Sequence, residues 1–287
     1  MEALIQPIIN GLLLGGLYAV IALGLTTMFG IVKLVNLAHG DLMILSSYLS
    51  LTLVTYFGIN PFLSILFVVP IMFVVGFAIQ KYLLNRVLGK EMEPPLLVAF
   101  GISIILQNLL LLVFTPDAKG IMTDISVKTI QIGNIYLPVL YLVDFIIGCL
   151  VIFCLRLFYN KSFLGRAIRA ASDDVGAAKL MGIDTSNIFA IAMGIAMITA
   201  AIAGILVGMT FSFYPHTGSQ YLILSFGVII IGGLGSMKGA LLGGIILAEA
   251  QLLGAHFVGP GYQLLIGYAV LLAILALRPQ GFFGQAH

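Results

Sequence analysis

The sequence predicts an all-α, polytopic membrane protein of about nine transmembrane helices, with eight to ten as the range. Three observations predict it. Hydrophobic residues make up 61% of the 287 and charged residues 8%, against roughly 45–50% and 25% in soluble domains, so a water-facing surface could not be covered. Two uncharged runs, residues 3–32 and 42–80, exceed the roughly 20 apolar residues that one crossing needs. The charges gather in a few short segments between apolar runs. This arithmetic excludes a disordered tail, a collagen, a disulfide scaffold and a basic nucleic-acid binder. The expected surroundings are a lipid bilayer, and no nucleic acid. The net charge of +2 reflects where loops sit, not an affinity for polyanions.

The spans follow in order. Residues 3–32 form the first, with no basic segment before it of the kind that opens a cleaved signal peptide. Residues 42–80 are too long for one crossing and carry a turn at Gly58-Ile59-Asn60-Pro61, which gives the second and third. Residues 94–115 form the fourth. A polar loop, 116–136, follows on the extracytoplasmic side, with a small hairpin expected about Gly133-Asn134. Residues 137–155 form the fifth span, 188–213 the sixth, 221–234 a short seventh, 239–258 the eighth and 262–277 the ninth. Cys149 and Cys154 share one apolar run and are expected as buried free thiols.

The charges set the orientation. With the N-terminus outside, Lys33, Lys81, Arg86, Lys90, Arg156, Lys161, Arg166, Arg169, Lys179, Lys238 and Arg278 fall inside, and only Lys119 and Lys128 fall outside. The excess of inner Lys and Arg favours N-out and C-in. Spans one to four and six to nine then form two four-helix blocks of opposite orientation, joined by span five. Each block contains a Gly-interrupted polar break, residues 35–41 and 232–239. Paired breaks of this kind point to a substrate path near the bilayer midplane. Gly235, Gly239 and Gly243, spaced by four, are expected on one helix face as a close packing contact.

The cytoplasmic segment 162–187 is more than a connector. Ser172 is suited to cap a helix of about nine residues, 173–181, with Asp173 and Asp174 in its first turn and Lys179 in its last. Gly182 stands where a left-handed residue ends a helix, and Asp184 can cap the next span. Val175, Ala178 and Met181 recur at intervals of three, an apolar stripe suited to a partner's groove or to lipid headgroups.

Several motifs resemble a known family. Ala177-Ala178, followed after three residues by Gly182, is similar to the EAA…G coupling loop of ABC importer permeases, although Gly176 replaces its acid. Asn36-Leu37-Ala38-His39-Gly40-Asp41, Gly165-Arg166-Ala167-Ile168-Arg169-Ala170, Leu180-Met181-Gly182-Ile183, Gly232-Gly233-Leu234-Gly235-Ser236 and Arg278-Pro279-Gln280-Gly281-Phe282-Phe283-Gly284 resemble branched-chain amino acid permeases of the LivH type. The resemblance runs from about residue 5 to the end. It implies a single transmembrane permease domain, residues 1–287, built as in type II-like ABC importer permeases. It also implies a second, homologous permease subunit, two cytoplasmic ATPase subunits that carry the ATP and magnesium, and an extracytoplasmic binding protein. No cofactor is implied on this chain, which has no Gly-rich phosphate loop ending in Gly-Lys-Ser/Thr. Arg166, Arg169, Asp173, Asp174, Ala177, Ala178, Lys179 and Gly182 would couple it to the ATPases.

An ionisable side chain in a span costs about 2.5–3.5 kcal/mol on the insertion scale, so each needs a reason. Asn36, His39, Gly40 and Asp41 at the head of span two, Gln107 and Asn108 in span four, and Glu249 in span eight are the candidates for the translocation path. Asp144 is read as a structural partner of a neighbouring helix, and His216 and His256 as solvated. The resembled family includes permeases for urea and short amides, which nothing in the sequence excludes, and an ion-coupled secondary transporter would share the broken helices. An intramembrane aspartyl protease would need a second aspartate facing Asp41, and Asp144 lacks the usual setting. Four scattered histidines offer no metal site. The expectation is therefore a transport subunit and not an enzyme.

Overall fold

The computed structural model describes residues 2–32, 35–89 and 93–284. Lys33 and Lys90, counted above among the inner charges, lie outside the described residues. In chain order the helices are α1 (Glu2–Val32), α2 (His39–Phe57), α3 (Pro61–Ala78), a π-helical turn Ile79–Leu84, the single turn α4 (Asn85–Val87), and α5 (Glu93–Phe114). A hairpin of β1 (Thr129–Ile132) and β2 (Ile135–Pro138) precedes α6 (Val139–Lys161), α7 (Phe163–Asp173), α8 (Val175–Leu180) and α9 (Thr185–Thr210). A short 3₁₀ turn, Pro215–Thr217, leads into α10 (Gly218–Gly232), and α11 (Met237–Val258) and α12 (Gln263–Leu277) close the bundle.

Eight helical segments among the described residues are long and apolar enough to cross a membrane. Helix α10, with 15 residues, falls short of a full crossing; at about 1.5 Å per residue it is roughly 22 Å long. It is nonetheless largely buried, and it takes the place of the short seventh span. The all-α architecture of the sequence reading is what the structure shows.

Helices α1 and α9 are apolar on every side and are buried along most of their lengths, as expected of helices surrounded by others. Helix α1 packs chiefly on α11, and α9 on α3. Glycines permit the first contact: a Cβ on Gly15 would meet the Cα of Ile245 at 2.5 Å, and one on Gly244 the carbonyl oxygen of Gly15 at 2.6 Å. Helices α5 and α12 lie on the outside, and their large side chains are widely exposed.

Local rules account for the ends. Gly58 (φ 63°) closes α2 in a left-handed turn, and the Asn60 side chain caps α3 through the Phe62 amide, with Pro61 at the first helical position. The hairpin turns at Gly133 (φ 60°) and Asn134, as expected. Cys149 is half-buried and Cys154 is exposed, so only the free state of the thiols matches the sequence reading; Cys154 lies on an outward face of α6.

Contacts divide the bundle into two ends. Asn85 bonds to Ser186, Ser172 to the Gly30 carbonyl, and Gly235 lies against Gly30. Arg86, the α6–α9 connection with its Arg and Lys, Lys238 and the tail after α12 therefore share one end, here called the basic face. The β-hairpin marks the other, the hairpin face.

Candidate translocation path and coupling segment

Two helices begin inside the bundle. The His39 ring lies 3.0 Å from the Ile21 carbonyl oxygen, whereas α1 continues to Val32, roughly 16 Å further by helical rise. The chain must therefore climb back from the basic face before α2 starts. Likewise α9 passes α2 where Gly204 meets Met43 and continues to Thr210, roughly 9 Å beyond, yet α10 starts at Gly218 beside Asp41. Residues 211–217 bring the chain back from the hairpin face.

The paired breaks are thus 35–38 and 211–217, which corrects the pairing of 35–41 with 232–239. Residues 233–236 form a turn on the basic face, with Gly233 (φ 101°) and Gly235 (φ 78°) in backbone conformations that only glycine adopts freely. Gly235 precedes α11, so the three spaced glycines do not share one helix face. Gly239 and Gly243 do lie in α11, and their missing side chains admit the backbone of α10 at Gly232 and Val228.

Around Asp41 the structure assembles a polar knot. Its Oδ2 accepts from Ser103 Oγ at 2.5 Å and its Oδ1 from Gln107 Nε2 at 3.1 Å. Gln107 Nε2 also reaches Ser219 Oγ at 3.2 Å, and Gln107 Oε1 faces His216 Nδ1 at 3.2 Å. Gly40 and Gly218 touch backbone to backbone, and a Cβ on Gly218 would collide with Asp41. Asp41 thus sits at the N-terminal ends of both α2 and α10, whose dipoles favour a negative charge there. It is 1% exposed, so its carboxylate ties α2 to α5 and α10 and presents no open surface.

The other path candidates separate. Asn36 is buried; its Oδ1 accepts from the Ala38 amide at 3.0 Å, which shapes the turn into α2, and its Nδ2 lies 3.9 Å from Met193 Sδ. His39 is buried between α1 and α9, away from Asp41's partners. Asn108 is exposed on α5 and bonds only to the Ile104 carbonyl of its own helix, so it does not join Gln107: one residue along a helix turns the side chain by about 100°. Glu249 lies against Gly11 of α1, where a Cβ would be 2.7 Å from its carboxyl carbon, and takes no part in the Asp41 knot. Asp144 accepts from Thr210 Oγ1 at 2.9 Å, which joins α6 to the end of α9.

The candidate coupling segment, 162–187, is built differently from the expectation. Ser172 caps nothing; it lies in the last turn of α7 and donates to the Gly30 carbonyl. Asp173 ends α7, and Asp174 is the cap of α8, accepting from the Ala177 amide at 3.0 Å. Helix α8 is therefore six residues, Val175–Leu180, and not the nine of 173–181, because the aspartate nearer the helix captures the free amide. Lys179 occupies its last turn and Gly182 (φ 80°) follows it. Of the apolar stripe only Ala178 is buried; Val175 and Met181 are exposed, as is Leu180 at 90%. Arg166, Arg169 and Ala177 are exposed beside them.

Residues 7–275 match the family described as "Branched-chain amino acid transport system / permease component". The chain belongs to this family of branched-chain amino acid transport permeases. The permease is 32% identical to the high-affinity branched-chain amino acid transport system permease protein BraD of Pseudomonas aeruginosa, over 98% of this chain and 96% of the relative. It is 29% identical to LivH of Escherichia coli K12 over the same shares, and 28% identical to a probable LivH of Methanocaldococcus jannaschii over 96% and 91%. These relatives are transport permeases, not enzymes. No solved structure matches the chain.

Some residues of the permease's knot escaped the sequence reading. Ser103 stands four before Gln107, the spacing that puts two side chains on one helix face, so it was within reach. His216 was read as solvated; it is exposed, but it is held by Gln107. Ser219 and Gly218 carried only the weak signal of a helix start after Pro215. The Phe282 and Phe283 amides close α10 by donating to the Ile231 and Gly232 carbonyls at 2.9 and 3.0 Å, which gives the Gly281-Phe282-Phe283 motif a structural role.

Proposed function

We propose that this chain is one of two membrane subunits of an ABC importer that moves branched-chain, hydrophobic amino acids across the plasma membrane. The observation that carries the reading is the meeting of α2 and α10 inside the bundle at Gly40 and Gly218, the broken-helix geometry of a substrate path. The names of the full-length relatives supply the substrate class. In this reading the basic face, rich in Lys and Arg, lies in the cytoplasm, with the N-terminus outside. There α7, α8 and the turn after it present Arg166, Arg169, Asp173, Ala177, Lys179 and the exposed Leu180 and Met181 to a cytoplasmic ATPase. Two ATPase subunits bind the ATP and magnesium, and a binding protein delivers cargo at the hairpin face.

In this reading ATP-driven closure of the ATPases pushes α8 and, through Gly182 and Asp184, the start of α9. The movement separates α2 from α10 and opens the path, whose polar wall is the Asp41–Gln107–His216 group. The test is uptake of leucine, isoleucine and valine by membrane vesicles that hold the chain with its co-purified partners. ATP-dependent uptake of these three, over urea or acetamide, is the expected result. Uptake of urea instead, or leucine uptake driven by an ion gradient without ATP, would overturn it.

A further inference from the structure

Gln80 is completely buried, and its two polar atoms fare differently. Its Nε2 donates to Asn85 Oδ1 at 3.0 Å. Its Oε1 has no hydrogen-bond partner among the described residues. Asn85 in turn donates from Nδ2 to the Ser186 carbonyl at 3.0 Å and to Ser186 Oγ at 2.9 Å. Ser186 stands in the first turn of α9, two residues after Asp184, which caps that helix. A continuous polar link therefore runs from the end of the coupling segment into the interior.

The link ends at a small crevice of about 10 Å³, lined among others by Met28, Asn36, Gln80, Leu84 and Pro95. Asn36 faces the same crevice with a poorly served donor, because among the described residues its Nδ2 reaches only the Met193 thioether sulfur at 3.9 Å, a weak acceptor. An amide donor without a good acceptor and an amide acceptor without a donor thus line one small space. Gln80 also lies in the π-helical turn Ile79–Leu84. Such turns hold an extra residue in the helix and recur at functional sites, and a shift of that turn would carry Gln80 along α3. Asn36 closes the turn that starts α2, through the Ala38 amide.

We propose that Gln80 and Asn85 form a strut that carries movement of the α8–α9 junction to the start of α2, and that the Asn36 amide becomes the partner of Gln80 Oε1 in the other transport state. Gln80 and Asn85 are positioning residues, since they act through α2 and touch no cargo. The proposal rests on the importer function above.

The test uses the assembled transporter in proteoliposomes, with leucine uptake and ATP hydrolysis measured together. Gln80→Met keeps the side-chain length and removes both amide groups. Asn85→Asp keeps the acceptor for Gln80 and removes the donor to Ser186. Each is expected to lower leucine moved per ATP by about fivefold to tenfold, the scale of one lost buried hydrogen bond, with assembly intact. Asn36→Leu combined with Gln80→Met should be no worse than the poorer single variant. Equal loss of uptake and hydrolysis, with the wild-type ratio kept, would mean a structural role only and overturn the strut.

A second readout does not depend on the variants' activity. Asn36→Cys with Gln80→Cys, with both native cysteines replaced by serine, should crosslink at least about tenfold faster in one nucleotide state than in the other. Equal rates in the nucleotide-free and vanadate-trapped states would overturn the proposed exchange of partners. A wild-type complex that fails to move leucine would overturn the function itself, whereas a working wild type with unaffected variants overturns only the strut.

Discussion

Replacing Gly40 with alanine tests the central contact of the fold with one methyl group. That methyl would sit 2.8 Å from the carbonyl carbon of Gly218 and 3.0 Å from the Leu222 amide nitrogen, with the Gly218 carbonyl oxygen nearer still. All three neighbours are backbone, so no side chain can turn aside. Ordinary contact begins at 3.4 Å, so α2 and α10 must part by at least about 0.6 Å, and by more at the oxygen. Overpacking of this kind costs about 1–3 kcal/mol. It outweighs the gain of up to about 1 kcal/mol that alanine brings to a helix. Gly101→Ala is the control, because nothing lies within 4 Å of its Cβ position and only the helix gain remains. Thermal unfolding of the purified subunit in detergent should show Gly40→Ala lowered by several degrees, at about 2–4 °C per kcal/mol, and Gly101→Ala unchanged or raised. An apparent Tm for Gly40→Ala equal to or above that of Gly101→Ala would refute the reasoning that the two half-helices meet backbone to backbone.

Three further outcomes follow from the same geometry. Asp41→Asn puts an amide where Ser103 and Gln107 both donate, and should reduce leucine uptake by about tenfold, the scale of one unmet buried group; flux measured at equal complex loading checks it. Asn108→Leu should shift apparent stability by no more than about 0.5 kcal/mol, as surface changes do, while Gln107→Leu lowers both stability and uptake, which parallel melts and uptake assays will separate. Asp174→Ala removes the cap of α8, worth about 1 kcal/mol, so hydrogen exchange across residues 175–182 should quicken by about fivefold, whereas Ser172→Ala leaves that segment unchanged.

The chain's class, its spans and its hairpin were legible because they rest on rules that hold within a segment. An uncharged run of sufficient length reads as a crossing, and Gly133-Asn134 between β-formers reads as a turn. The coupling segment was legible in its ends, Lys179, Gly182 and Asp184, but not in its start. Ser172 and Asp174 are both good caps, and only the exposed break after Asp173 shows which amides are free. Helix α7 was missed although its signal was local: Ser162 caps it, and its buried face, Ala167, Ile168 and Ala171, recurs at helical spacing. The pairing of the breaks failed for a different reason. Glycine-rich sequence marks close approach or positive φ, and both 35–41 and 232–239 have it, but depth in the membrane depends on where the preceding helix ends. Residues 211–217 carry one proline and no glycine; Tyr214-Pro215-His216-Thr217-Gly218 reads as a turn, but nothing local announced that it lies inside the bundle.

The contacts also suggest why one carboxylate can remain buried at the meeting point. Helix α1 with α2 and helix α9 with α10 repeat one pattern: a long buried helix, a returning strand of chain, and a helix that starts within the bundle. Their partners repeat it too, since α1 packs on α11 and α9 on α3. The two starting ends converge at Gly40 and Gly218, so two sets of unpaired helix amides point into one region. A single aspartate there is favoured by both dipoles, and the hydrogen bonds from Ser103 and Gln107 satisfy it without a cation. Parting α2 from α10 would leave Asp41 and both helix ends short of partners unless water or a zwitterionic cargo entered between them. In the proposed transport cycle the knot would act as a latch whose opening and hydration are one event, with the energy for that event supplied from outside the knot, along the helices that reach the basic face.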